Sequence, residues 1–106
     1  MILFVATTLP DESTAANIIR QLVEKKSAAC GTILPGARSI YRWKDTIEDS
    51  AEVVVIFKIP KPAASAFESE LLSLHPYETP EIAFFEVAQA SQAYSAWVVA
   101  SCEKTA

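Results

Sequence analysis

Two long strand-forming stretches meet at a turn near the middle of this 106-residue chain, and no other feature limits the fold as tightly. The first runs from Ala28 to Leu34, breaks at Pro35-Gly36, and resumes over Ser39-Ile40-Tyr41-Arg42-Trp43. Proline cannot donate to a ladder and glycine permits a bulge, so the break reads as a kink within one arm. Lys44-Asp45-Thr46 reads as a hairpin turn that lacks glycine. The return arm, Ile47 to Ile59, holds the most strand-like run in the chain, Val53-Val54-Val55-Ile56-Phe57. Strands average about 5–6 residues, so these arms overhang the body that 106 residues can build. Unpaired edges are normally managed or paired, and aromatics on the overhang, Tyr41 and Trp43, favour pairing. An obligate oligomer is expected, with sheet faces or edges meeting between subunits.

The flanking segments fix the layers. Ile2 to Thr8 is a nearly continuous apolar run, the pattern of a strand covered on both faces. Pro10 to Ser13 mark a turn and helix start, with Asp11 and Glu12 at the positive end of the helix dipole. Ala15, Ile18, Ile19, Leu22 and Val23 then form one apolar stripe, and Glu24-Lys25-Lys26 closes the helix. Pro60 and Pro62 end the return arm and can open a second helix, whose inner face is Ala64, Phe67, Leu71 and Leu74. Two prolines make His75 to Pro80 an irregular connection. Glu81 to Val87 reads as a last strand, and Ser91 as the cap of a last helix carrying Tyr94, Trp97 and Val98 inward. The order is βαββαβ plus a helix in one α+β domain over residues 1–106, the split-βαβ or ferredoxin-like arrangement.

Composition removes several function classes. The net charge is −4 and no basic run occurs, which argues against nucleic acid and against anionic membrane surfaces. No apolar run reaches the ~18 residues of a membrane span. The apolar start lacks a basic n-region and reads as a buried strand, not a signal peptide. Cys30 and Cys102 lie far apart and form no CxxC motif, so free thiols and a cytoplasmic location are expected. No nucleophile elbow, triad order or cofactor fingerprint is present, and no enzymatic activity is expected.

Few residues can carry chemistry. Cys30 is either a soft ligand for Cu(I) or a small buried hydrophobe. Cys102, near an exposed helix end, has no partner in sequence. His75 is the one imidazole, available to a metal or as a cation at a helix C-terminus. Glu78 and Glu81 offer oxygen donors for hard cations or a solvated surface. Tyr41, Trp43 and Tyr77 suit an interface. Lys58 ends an apolar strand and can pair with a neighbouring chain's carboxylate or hold an anion.

Three segments taken together resemble a known family. Ala28-Ala29-Cys30 with Ile33-Leu34-Pro35-Gly36, Ser39-Ile40-Tyr41-x-Trp43, and His75-Pro76-Tyr77-Glu78-x-Pro80-Glu81-Ile82 look like the CutA family of divalent cation tolerance proteins. Thr8-x-Pro10-Asp11-Glu12 and Tyr94-x-x-Trp97 extend the likeness over nearly the whole chain. The resemblance implies a ferredoxin-like subunit in a homotrimer, its hairpin reaching into the neighbour, with an architecture similar to PII signalling proteins. It implies a part in tolerance of copper or other divalent cations, with metal at subunit boundaries and His75 and Cys30 as candidate ligands. Tyr41, Trp43, Lys58, Tyr77, Glu78 and Glu81 would line an inter-subunit pocket. A PII-like or protein-anchoring trimer, taking a small anion or a partner protein there, is the alternative. The chain departs from the family pattern in having Thr7 where some members carry cysteine, Gly31-Thr32 where a valine-asparagine type pair is usual, Asp45 where the hairpin turn usually has glycine, and Ile59 where a threonine is usual.

Overall fold

The computed structural model describes residues 1–104. Its elements are β1 (Ile2–Leu9), α1 (Glu12–Glu24), β2 (Cys30–Trp43), β3 (Thr46–Pro60), a 3-10 turn at Lys61–Ala63, α2 (Ala64–Leu74), β4 (Ala83–Glu86) and α3 (Gln92–Ser101). The strands form one antiparallel sheet in the order β2-β3-β1-β4. β1 lies centrally, as its unbroken apolar run requires.

Alternation along the two central strands sorts the core. Leu3, Val5 and Leu9 of β1 and Val53, Val55, Phe57 and Ile59 of β3 share one face. Onto it pack Ala15, Ile18 and Leu22 of α1 and Phe67 and Leu71 of α2. The α1 cap is Asp11, whose carboxylate accepts from the Thr14 N–H at 2.7 Å. On the opposite face α3 covers one end of the sheet, and Val98 packs there with Ile2, Ala29, Phe4 and Cys30. Leu34 and Phe85 of that face stay exposed.

Several details differ from the sequence reading. Trp97 points outward, 48% exposed, stacked beside Tyr94 with centroids 5.8 Å apart. Val98 alone is fully buried on α3, because a single helix stripe over one sheet end leaves no room for the indole. Val23 is likewise exposed at the edge of the α1 stripe. β4 begins at Ala83 because Glu81 and Ile82 still belong to the connection. Cys102 is half-buried against the cluster under α3, and that burial pushes its thiol pKa up.

The hairpin outruns the rest of the sheet. β1 pairs with β3 only as far as Leu9↔Val53, whereas β2 and β3 remain paired to Trp43↔Thr46. The molecule therefore measures 46 Å along one axis against 29 and 22 Å on the others. Lys44 and Asp45 alone make the turn, both left-handed at φ 48° and 67°, while Thr46 already pairs. The bulge at Pro35-Gly36 puts two β2 residues opposite one of β3, between Leu34↔Val54 and Ala37↔Glu52, and Gly36 takes φ 78° there.

Candidate functional site

The bulge decides which side chains meet at the root of the hairpin. Directly opposed residues of an antiparallel pair share a face. Before the bulge, even-numbered β2 residues oppose even-numbered β3 residues; after it, odd-numbered ones do, giving Ser39↔Ser50, Tyr41↔Glu48 and Trp43↔Thr46. One extra residue thus turns Tyr41 and Trp43 onto the face that carries Glu48 and Glu52. Where β1 stops, the connection after α2 wraps around its end and closes the space.

The result is a cleft of about 550 Å³, within the range of small-ligand sites. Tyr41, Trp43 and Tyr77 form its aromatic walls, and Glu48, Glu52, Glu78 and Glu81 line it. Thr8, Ser39, Pro76 and Thr79 complete the surface. Among the described residues the lining contains four carboxylates and no lysine, arginine or histidine.

Glu52 is the buried member, 8% exposed. The Tyr77 hydroxyl donates to its Oε2 at 2.5 Å. Burial first, and then that bond and the nearby charge, push the Tyr77 pKa well above the usual phenol range. Tyr77 is in turn held by His75, with ring centroids 4.9 Å apart and the Tyr77 N–H donating to His75 Nδ1 at 3.2 Å. On the other side of the imidazole, Nε2–H donates to the Thr8 carbonyl at 3.0 Å and lies 2.9 Å from the Thr7 hydroxyl. That network sets a neutral ring with its proton on Nε2. Burial lowers the His75 pKa, against the opposing pull of the Thr8 carbonyl and the Glu52 charge.

The residues singled out in the sequence fall into three groups. Tyr41, Trp43, Tyr77, Glu78 and Glu81 come together in the cleft. His75 stands behind it, with both ring nitrogens engaged. Cys30 and Lys58 lie apart from it, directly opposed across the β2–β3 ladder. The Lys58 ammonium reaches Thr32 Oγ1 at 2.5 Å and Cys30 Sγ at 3.8 Å, and sits 5.6 Å from the Phe4 ring. Among the described residues no three His, Cys, Asp or Glu side chains are grouped closely enough to hold a metal ion. Sequence reasoning missed Glu48 and Glu52. Glu52 carried a signal: it stands directly before the strand-forming valines Val53-Val54-Val55, where a carboxylate is uncommon unless it has a partner.

A long bulged hairpin that roofs an acidic, aromatic cleft on a four-stranded sheet defines a small α+β protein with a site at the hairpin root. The family described as "CutA1 divalent ion tolerance protein" matches residues 3–101, and the chain belongs to that family. It is 38% identical over 97 residues to the divalent-cation tolerance protein CutA of Yersinia pestis (strain Pestoides F), covering 92% of this chain and 82% of the relative. Among solved structures, the divalent cation tolerance protein from Thermus thermophilus superposes with a TM-score of 0.90 at 34% identity, covering 95% of this chain and 98% of that one. A protein from Archaeoglobus fulgidus, described as a periplasmic divalent cation tolerance protein, gives 0.93 at 29% identity, covering 97% and 100%. No helix among the described residues is long and apolar enough to cross a membrane. The family is named for ion tolerance, not for a catalysed reaction.

Proposed function

We propose that this chain is a non-enzymatic, cytoplasmic, homotrimeric divalent-cation tolerance protein and that the cleft at the hairpin root is where it takes the cation. The observation that carries this reading is that Glu48, Glu52, Glu78 and Glu81 line one cleft whose lining holds no basic side chain among the described residues. Carboxylate oxygens suit hard divalent ions. One subunit supplies only part of a coordination sphere, so the neighbouring subunit contributes the remainder. The trimer is supported by the overhanging strand edges of residues 37–52 and by exposed Leu34, Ile40, Ile47 and Phe85. Copper at Cys30 and His75 is the softer variant of the proposal. It needs the two brought together across a boundary and the Nδ1 bond of His75 broken.

Native mass spectrometry of the reduced protein, with and without manganese, zinc and copper, tests the reading. A trimer that gains ions, and gains fewer when Glu52 and Glu81 are changed to glutamine, is expected. A monomer, or a trimer that retains no ion, overturns it. Lys58 favours the alternative, a PII-like or anchoring trimer. Its buried ammonium meets no carboxylate among the described residues, so a small anion or a partner's carboxylate would complete it. Stabilisation of the protein by nucleotides or other phosphate compounds in a thermal-shift screen, lost in Lys58→Met, would mark that alternative.

A further inference from the structure

We infer that the cleft also binds organic ammonium ions, specifically small primary alkylamines and diamines, with one ammonium on Glu52 and the alkyl body against Tyr41 and Trp43. The inference rests on reading the cleft as a cation site, and it adds a ligand class that aromatic walls select and a bare metal does not need.

Three observations carry it. First, Glu52 is more than nine-tenths buried and meets no cation among the described residues. Its Oε2 is occupied by Tyr77, while Oε1 has no hydrogen-bond partner among the described residues. Every fully enclosed side-chain nitrogen or oxygen among the described residues has a partner, so the unbonded Oε1 is not fully enclosed, and Glu52 lines the cleft. A desolvated carboxylate in that state gains from an ammonium donor more than an exposed one does.

Second, the walls are aromatic. Ammonium groups are attracted to the negative faces of tyrosine and tryptophan rings, more strongly where water is excluded. A hydrated inorganic ion has no use for three rings. An alkylammonium uses both the rings and the carboxylates, with its methylenes on the apolar surface.

Third, the chain already places one alkylammonium at the mouth of the same cleft. Lys44 Nζ lies 5.5 Å from the Trp43 ring centroid and 3.8 Å from Glu78 Oε2. Both charged groups are more than 70% exposed, so this pairing is weak and easily displaced. It shows an amine cation seated between a ring and a carboxylate of this site. A diamine can hold Glu52 with one end and replace Lys44 at Glu78 with the other.

The test uses intrinsic fluorescence. The chain has two tryptophans; Trp97 lies exposed on α3, and Trp97→Phe leaves Trp43 as the reporter. In that protein, 1,4-diaminobutane is expected to shift Trp43 emission saturably, with butylamine weaker and butyrate silent. Glu52→Gln is expected to weaken diaminobutane at least tenfold, and Lys44→Met to tighten it. Circular dichroism and native mass confirm that each variant keeps its fold and assembly. Manganese chloride is titrated in parallel. Saturation by manganese with no response to diaminobutane overturns this inference and leaves the divalent-cation reading standing. A diaminobutane response without manganese binding does the reverse. A response that survives Glu52→Gln unchanged, or silence because a neighbouring subunit's cation already neutralises Glu52, overturns the inference.

Discussion

Gly31→Ala is the substitution whose effect follows most directly from the geometry. A Cβ built on Gly31 lies 2.8 Å from Ile19 Cγ1, 2.9 Å from Cγ2 and 3.1 Å from Cδ1. All three atoms belong to one β-branched side chain, which is stiff at χ1 in a helix. Two of them are attached directly to Cβ, so Ile19 cannot relieve the clash by swinging its tip. Either α1 moves away from β2 or the isoleucine leaves its rotamer, and overpacking of this kind costs about 1–3 kcal/mol. Replacing glycine offsets about 0.4–1 kcal/mol of that by restricting the unfolded chain. The net expectation is a loss of about 1–2 kcal/mol. The decisive comparison is the double mutant. Ile19→Ala removes every clashing atom; Ile19 packs at the margin of the core, so alone it should cost about 2 kcal/mol, the low end for such truncations. On that background Gly31→Ala should become neutral or stabilising. Guanidinium unfolding at fixed protein concentration, followed by tryptophan fluorescence, gives the four stabilities. A coupling below about 0.5 kcal/mol, the ordinary error of additivity, would refute the close approach of α1 to β2. The same contact means that the space a larger side chain at position 31 would fill is occupied by Ile19.

Three further outcomes follow. His75 is held neutral by burial, and the groups facing it are Glu52 and Tyr77. A folded pKa below the unfolded value of about 6.5 means that the unfolded state takes up the proton first. Stability therefore falls as pH drops below about 6.5, by at most about 1.4 kcal/mol per pH unit, until the folded pKa is passed. His75→Gln should flatten that limb in unfolding curves measured between pH 7 and 5, and an equally steep limb in the variant would count against the assignment. Tyr77→Phe leaves Glu52 Oε2 without its donor and should destabilise by about 1–3 kcal/mol in denaturant melts; an unchanged midpoint would mean that water replaces the phenol freely. Asp45→Gly relieves a left-handed residue in the hairpin turn and should stabilise by about 0.5–1 kcal/mol, with a lowered midpoint as the refuting result.

Periodicity made the elements legible, and it failed where the outcome depended on a count. The apolar runs of β1 and β3, the stripe from Ala15 to Leu22 and the Ser91 cap all reappear in the structure, because each is set by neighbours within a few residues. Trp97 was misplaced because helical spacing defines a stripe but not how wide a stripe the sheet can cover. The cleft was half legible. Tyr41, Trp43, Tyr77, Glu78 and Glu81 were singled out as chemistry-bearing residues, but what gathers them is the bulge. Pro35-Gly36 announced a kink without saying how many residues it would absorb. Had it absorbed none, the odd and even positions of β2 beyond it would be exchanged, and Arg38, Ile40 and Arg42 would oppose Ser50, Glu48 and Thr46 in place of Ser39, Tyr41 and Trp43. Arg38 would then stand diagonal to Glu52 on that face, an arginine within reach of the buried carboxylate. By shifting the register one residue, the bulge keeps Arg38 and Arg42 on the opposite face, brings the rings to the glutamates, and leaves Glu52 buried with no cation of its own among the described residues. The unmet charge that makes the cleft a candidate site is thus a consequence of register, which no local reading of residues 28–43 contains.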